Sequence, residues 1–174
     1  MPNLEDAPRT TVAATVYRVV LRGIDPLASR GSELNGGRYN SPGTKGVVYA
    51  SFRKPTAVAE VVRGLKARGI NPQEYGPDDW WAYEVELDLS RVLDLTDTKV
   101  LEGLHVSAEA LLASDMTLTR KIGRQALKAG YQAVIGPSAA SPGERNLVIF
   151  LGAVAREPRV TSSIPVELSQ KASG

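Results

Sequence analysis

Gly36-Gly37-Arg38-Tyr39-Asn40 is followed by an apolar run that includes Tyr49, and then by a helix-forming stretch that carries Glu60. A glycine pair lets the backbone approach a ligand closely, and the arginine after it offers a planar fork of donors suited to phosphate. The motif lies in a segment from Arg22 to Lys45 rich in Gly, Ser, Asn, Asp and Pro. Long irregular segments inside compact domains are more often functional than idle. Downstream, Gly46 to Ser51 reads as a buried strand. Pro55 is placed as the first residue of a helix running to about Arg68, with Gly69 at its stop position. Val58, Val61, Val62 and Leu65 form the apolar stripe of that helix, with Arg63 and Lys66 opposite. Glu60 falls on the flank shared by Ala57, Gly64 and Ala67, where small neighbours leave room for something to reach the carboxylate. The arrangement predicts a nucleotide site.

Working outward, Ala13 to Leu21 predicts a strand. Trp81 to Leu89 predicts another, with Val92 to Leu95 a short continuation. Ser107 to Ala113 reads as a short helix. Thr119 to Ala129 reads as a longer one ended by Gly130, its basic residues Arg120, Lys121, Arg124 and Lys128 forming a solvated face. Tyr131 to Ile135 and Leu147 to Leu151 predict two strands around a Gly136 to Arg145 loop. Beyond Gly152 the pattern weakens into a polar tail expected to be peripheral. The division expected is a flexible leader over 1–12, one domain over 13–155 and a tail over 156–174.

Composition narrows the function classes. A chain of 174 residues, 43% apolar and 23% charged, suffices for one buried core and is not that of a disordered chain. Lysine plus arginine number 21 against 19 acidic residues, so no electrostatic footprint of a dedicated nucleic-acid binder is present and direct nucleic-acid contact is not expected. With no cysteine and a single histidine, His105, disulfides are excluded and an ordinary zinc site lacks ligands. An oxygen-ligated metal stays open. Met1 to Thr11 lacks the apolar core of a secretory signal, and no apolar run approaches a membrane span, so a soluble, cytoplasmic chain is expected.

Five motifs occur in a fixed order: Tyr17-Arg18-Val19, Gly36 to Asn40, Val47-Val48-Tyr49, Thr56-Ala57 with Glu60, and Gly136-Pro137-Ser138 before Asn146-Leu147-Val148-Ile149-Phe150. This ordered set, from about Tyr17 to Leu151, resembles the RES domain family, toxins of bacterial toxin-antitoxin pairs. The resemblance implies an α+β fold, a curved mixed β-sheet core with flanking helices like that of ADP-ribosyltransferase toxins. It also implies NAD as substrate, degraded by hydrolysis or phosphorolysis. By position the named triad becomes Arg38, Glu60 and Ser138, with Tyr39 and Tyr49 as pocket aromatics. Tyr39 stands where the family often has tryptophan and keeps a stacking face. Ser141 is a neighbouring alternative to Ser138, and Arg18 a second arginine with a supporting place. No cofactor is implied beyond NAD as substrate and inorganic phosphate as a co-substrate. The implied partner is an Xre-type helix-turn-helix antitoxin that blocks the pocket, and a homodimer stays open.

The chemistry is compatible with one carboxylate, because nicotinamide leaves a cationic pyridinium as a neutral ring and needs no protonation. Glu60 is expected to hold the ribose hydroxyls and stabilise an oxocarbenium-like transition state. Arg38 is expected to grip pyrophosphate or incoming phosphate. Ser138 is expected to donate to the nicotinamide amide or to phosphate rather than act as a nucleophile, although a plain turn role fits it equally. Tyr39 and Tyr49 fit either a ring sandwich or the core. Two other functions use the same residues: transfer of ADP-ribose to a macromolecule, and nucleotide sensing without cleavage.

Overall fold

β1 (Thr10–Leu21) serves two cores at once, with Val12 and Val16 turned to one side and Tyr17 and Val19 to the other. The two-residue side-chain period of a strand makes this possible. The computed structural model describes residues 3–168. Five more strands follow: β2 (Val47–Ser51), β3 (Trp80–Asp94), β4 (Ala133–Pro137), β5 (Arg145–Phe150) and β6 (Arg159–Val166). Their order is β1-β2-β5-β4-β3-β6, and β3 also pairs with β1, so the first five strands close on themselves with β6 outside. The β3–β4 pair is parallel and the other pairs are antiparallel, which makes the sheet mixed and curved as expected.

Register places one apolar set inside the ring: Val12, Val16, Val48, Ala50, Val85, Leu87, Leu89, Val92, Ala133, Ile135, Leu147 and Ile149. By the same alternation Arg18 continues the inward row beyond Val16.

The helices cover the outer surface in two patches. α1 (Arg30–Asn35) lies before β2. α2 (Lys54–Ala67) lays Ala57 and Leu65 on Val19, Trp80 and Ala82. α3 (Thr98–Leu104), α4 (Ala108–Leu112) and α5 (Thr117–Lys128) lay Val100, Leu104, Leu111, Ile122 and Ala126 on Val47, Val134, Val148 and Phe150. Between the patches runs a seam on the outer face of β2, β5 and β4, and the polar residues of interest line it.

Several local expectations change. The Arg22 to Lys45 segment contains the six-residue α1. α3 escapes a periodicity reading because it is only seven residues long, yet its cap is legible: the Asp97 carboxylate accepts from the N–H groups of Lys99 and Val100. The two segments read from Trp81 to Leu95 are one continuous β3. The tail expected to be peripheral supplies β6, which pairs with β3 from Trp80 to Glu86. Its exposed pattern hid it, because an edge strand with little burial shows no alternation. In the leader, Leu4 is 1% exposed, and the Tyr131 hydroxyl reaches the carbonyls of Leu4 and Ala7 at 2.9 and 3.0 Å. Positions 1–2 and 169–174 of the expected leader and tail lie outside the described residues.

Candidate active site

Packing of α2 through Ala57 and Leu65 turns the flank bearing Glu60 toward β5 and the loop after β4. One carboxylate oxygen, Oε1, accepts from Ser138 Oγ at 2.6 Å and from Asn146 Nδ2 at 2.7 Å, with the Ala140 N–H at a longer 3.4 Å. Among the described residues no donor reaches Oε2. Ser138 is itself fixed, its Oγ accepting from the N–H groups of Ala140 and Ser141 at 3.2 and 3.0 Å. A hydroxyl carries one proton, and here Glu60 takes it. In this arrangement Ser138 holds the carboxylate, a contact that the expected donation to nicotinamide or phosphate did not include. Ser141 joins this cluster through its backbone.

The Gly36 to Asn40 loop is the second group. It closes as a turn, the Gly37 N–H donating to the Asn40 carbonyl at 2.9 Å. The Tyr49 hydroxyl locks it by accepting from the Tyr39 N–H at 2.9 Å and donating to Asn40 Oδ1 at 2.7 Å. The Tyr49 ring lies so close that a Cβ on Gly37 would sit 2.5 Å from its Cζ, so this position requires glycine. Tyr49 is thus a brace under the loop rather than one wall of a sandwich.

Arg38 turns toward α4, where its Nη1 donates to the carbonyls of Leu111 and Ala113 at 2.9 and 2.8 Å. A cation at these unsatisfied helix-end carbonyls is favourable. Among the described residues its buried Nη2 has no protein partner. Tyr39 is 3% exposed and packs in the outer core, with its hydroxyl over Gly136 and also without a partner. Burial of its ring leaves the phenol edge, not the face, as the part able to meet a ligand.

Register joins the two groups. Tyr17, Ser51, Asn146 and Gly136 form one row across β1, β2, β5 and β4. Glu60 sits over Asn146, and the Tyr39 hydroxyl sits over the adjacent Gly136. One interstrand step, about 4.8 Å, therefore separates the residues beneath them.

Arginines complete the electrostatics. Arg18 donates from Nη1 to the Tyr49 carbonyl at 2.7 Å, while its Nε is buried without a partner. Among the described residues it makes no salt bridge, and burial lowers its pKa. Arg120, read from sequence as part of a solvated face, instead donates from Nε to the Gly37 carbonyl at 3.0 Å. Arg120 and Asn146 are site residues missed by sequence reasoning. Periodicity assigned the first to the polar side of α5, and the second was visible only as the start of a strand motif. Among the described residues no cluster of acidic or histidine ligands forms a metal site. A separate cavity of about 430 Å³ adjoins the Ala139–Ala140 loop, and none of the five predicted site residues lines it.

Burial pushes the Tyr49 pKa up to about 12, with the neighbouring hydrogen bonds and the Arg120 and Arg38 charges opposing the rise. A phenol with an unfolded pKa near 10 then contributes stability that is full below about pH 10 and lost as pH rises toward 12. Tyr39 shifts in the same direction for the same leading reason, burial. Tyr49→Phe removes one of these two groups. Denaturant melts at pH 9, 10 and 11 are expected to show a shallower alkaline loss in the variant than in wild type, and parallel losses would contradict the assignment.

The RES domain family profile matches residues 15–169. The chain belongs to the RES domain family. A Mycobacterium tuberculosis (strain ATCC 25618 / H37Rv) protein named "Probable NAD(+) phosphorylase Rv3189" is 34% identical to it over 157 residues, spanning 85% of this chain and 69% of the relative. A chain in the crystal structure of the M. tuberculosis MbcT-MbcA toxin-antitoxin complex superposes on this RES domain with a TM-score of 0.78 at 20% identity, covering 92% of this chain and 87% of that one. That likeness shows the fold. No helix among the described residues of this RES domain is long and apolar enough to cross a membrane.

Proposed function

We propose that this RES domain is a toxin enzyme that cleaves the bond between nicotinamide and ribose in NAD, with inorganic phosphate as the acceptor. The observation that carries this reading is the asymmetry of Glu60: one oxygen is held by the protein and the other is left for substrate, beside a loop braced by arginines. The name of the mycobacterial relative supports both the substrate and the acceptor.

In the proposed reaction the C1′–N bond breaks and its electron pair returns to the pyridinium nitrogen, releasing neutral nicotinamide. A phosphate oxygen then bonds to C1′. Positive charge builds on C1′ and the ring oxygen between these events, where Glu60 Oε2 stabilises it and holds a ribose hydroxyl. Arg38 Nη2, a donor without a protein partner among the described residues, would meet phosphate oxygens, and the Tyr39 hydroxyl would meet a polar group near Gly136. The reading uses no metal or cofactor.

The likeness to a chain of a toxin-antitoxin complex supports an antitoxin partner; in this reading that partner is of the Xre helix-turn-helix type and covers the seam. A homodimer is compatible with the same arrangement. Nicotinamide release from NAD by purified protein, with and without phosphate, tests the reading. Release that rises with phosphate and yields a phosphorylated ADP-ribose is expected. Folded protein that releases no nicotinamide in either condition overturns it.

A further inference from the structure

The Glu60 carboxylate is held by a side chain from β5 as well as by Ser138 from the loop after β4. Asn146 Nδ2 donates to Oε1 at 2.7 Å, while Asn146 Oδ1 accepts from Ser51 Oγ at 2.7 Å. Ser51 and Asn146 face each other across the β2–β5 register and Ser51 is 3% exposed, so the pair is built into the strand ladder. A primary amide is nearly symmetric in shape, and turned by 180° it would aim its oxygen at the carboxylate. What sets its sense is the carboxylate, which only accepts and so takes the NH₂ end. The Ser51 hydroxyl can donate or accept, and here it donates to the Oδ1 that this leaves. The carboxylate selects the amide orientation, and Ser51 ties the amide down in it.

We propose that Ser51 and Asn146 are positioning residues for the reaction: Ser51 anchors the Asn146 amide, and the amide pins Glu60 Oε1 so that Oε2 faces the substrate. This rests on the NAD-cleaving reading of the same site. Ser138 and the longer Ala140 N–H contact both come from the loop after β4, and a donor from β5 adds an anchor that the loop alone does not give. The benefit appears when charge develops on the ribose, because a group fixed in advance needs no reorganisation at that moment. Loss of the pair should therefore lower kcat and leave KM nearly unchanged.

The test is a double-mutant cycle with Ser51→Ala, Asn146→Ala and both together, following nicotinamide release from NAD. Asn146→Ala is expected to lower kcat roughly 10–100-fold, in the range of an oriented-donor loss. Ser51→Ala is expected to lower it several-fold. The double variant should be no slower than Asn146→Ala alone, because Ser51 acts through the amide. Effects that multiply, or that fall on KM, overturn the proposal. Melting temperatures measured on the same samples separate this outcome from general destabilisation.

A second readout does not require activity. In wild type the two Asn146 side-chain amide protons are expected as a resolved, slowly exchanging pair by NMR. Glu60→Gln should shift the pair, and Ser51→Ala should speed its exchange. An Asn146 pair indifferent to both changes overturns the orientation. Wild type without activity but with this signature would defeat the NAD reading and leave the hydrogen-bonded chain standing.

Discussion

Glu60→Gln is expected to reduce nicotinamide release at least ~10²-fold while leaving the melting temperature close to that of wild type. Glutamine has the shape of glutamate, and the network decides how it sits. Ser138 Oγ and Asn146 Nδ2 both donate to Oε1, so the glutamine carbonyl oxygen must take that place. Its NH₂ then occupies the former position of Oε2. The variant would present two donors where the wild type presents a carboxylate oxygen to a developing cation. Both loss of attraction and the reversed dipole act in the same direction. The hydrogen bonds that hold α2 to β5 and to the loop after β4 survive, which is why stability should not fall with activity. A turnover rate within tenfold of wild type would exclude Glu60 as the group that stabilises the transition state.

Gly123→Ala is expected to destabilise the fold by about 3 kcal/mol or more, although alanine normally improves a helix by about 1 kcal/mol over glycine. Gly123 lies in α5, and a Cβ there would sit 2.7 Å from the Tyr39 carbonyl carbon and 3.1 Å from its Cα. The obstacle is backbone, held at one side by the Tyr49 hydroxyl and at the other by the Arg38 bonds to α4. Neither the loop nor the helix can yield without breaking those contacts. Gly64 in α2 is the control, because nothing lies within 4 Å of a Cβ there. Gly64→Ala should stabilise by about 0.5–1 kcal/mol. Chemical denaturation of the two variants reads opposite signs from the same chemical change, and a Gly123→Ala protein as stable as wild type would refute the close approach of α5 to the loop.

Local chemistry made much of this molecule legible. Gly69 and Gly130 follow α2 and α5 with positive φ, as their place after a periodic stretch predicts. Glu60 could be separated from the apolar stripe because helical spacing alone fixes the flank. What stayed hidden was long-range. Arg120 looks solvated on a helical wheel, yet the Gly37 carbonyl comes to meet it from 83 residues earlier. Ser138 looked available for a ligand because nothing in the chain near it announces a carboxylate acceptor, and that acceptor lies 78 residues away. Tyr39 looked like a stacking platform because the wheel of neighbours that buries it comes from β4 and α5. Register across a closed sheet decides all three, and one chain read locally does not contain it.

The closed ring also sets when a growing chain can acquire its site. β2 meets β1 at a single register pair, Tyr17 with Ser51, and has its full ladder with β5. Between synthesis of Ser51 and synthesis of Phe150 the ribosome adds roughly a hundred residues, on the order of 5–20 s of translation. Until Ser138 and Asn146 have both been added, Glu60 lacks its full set of donors, and until β5 is made β2 exposes an unpaired edge. The site is therefore incomplete in a nascent chain, and it assembles only once β5 has been made and the ring can close.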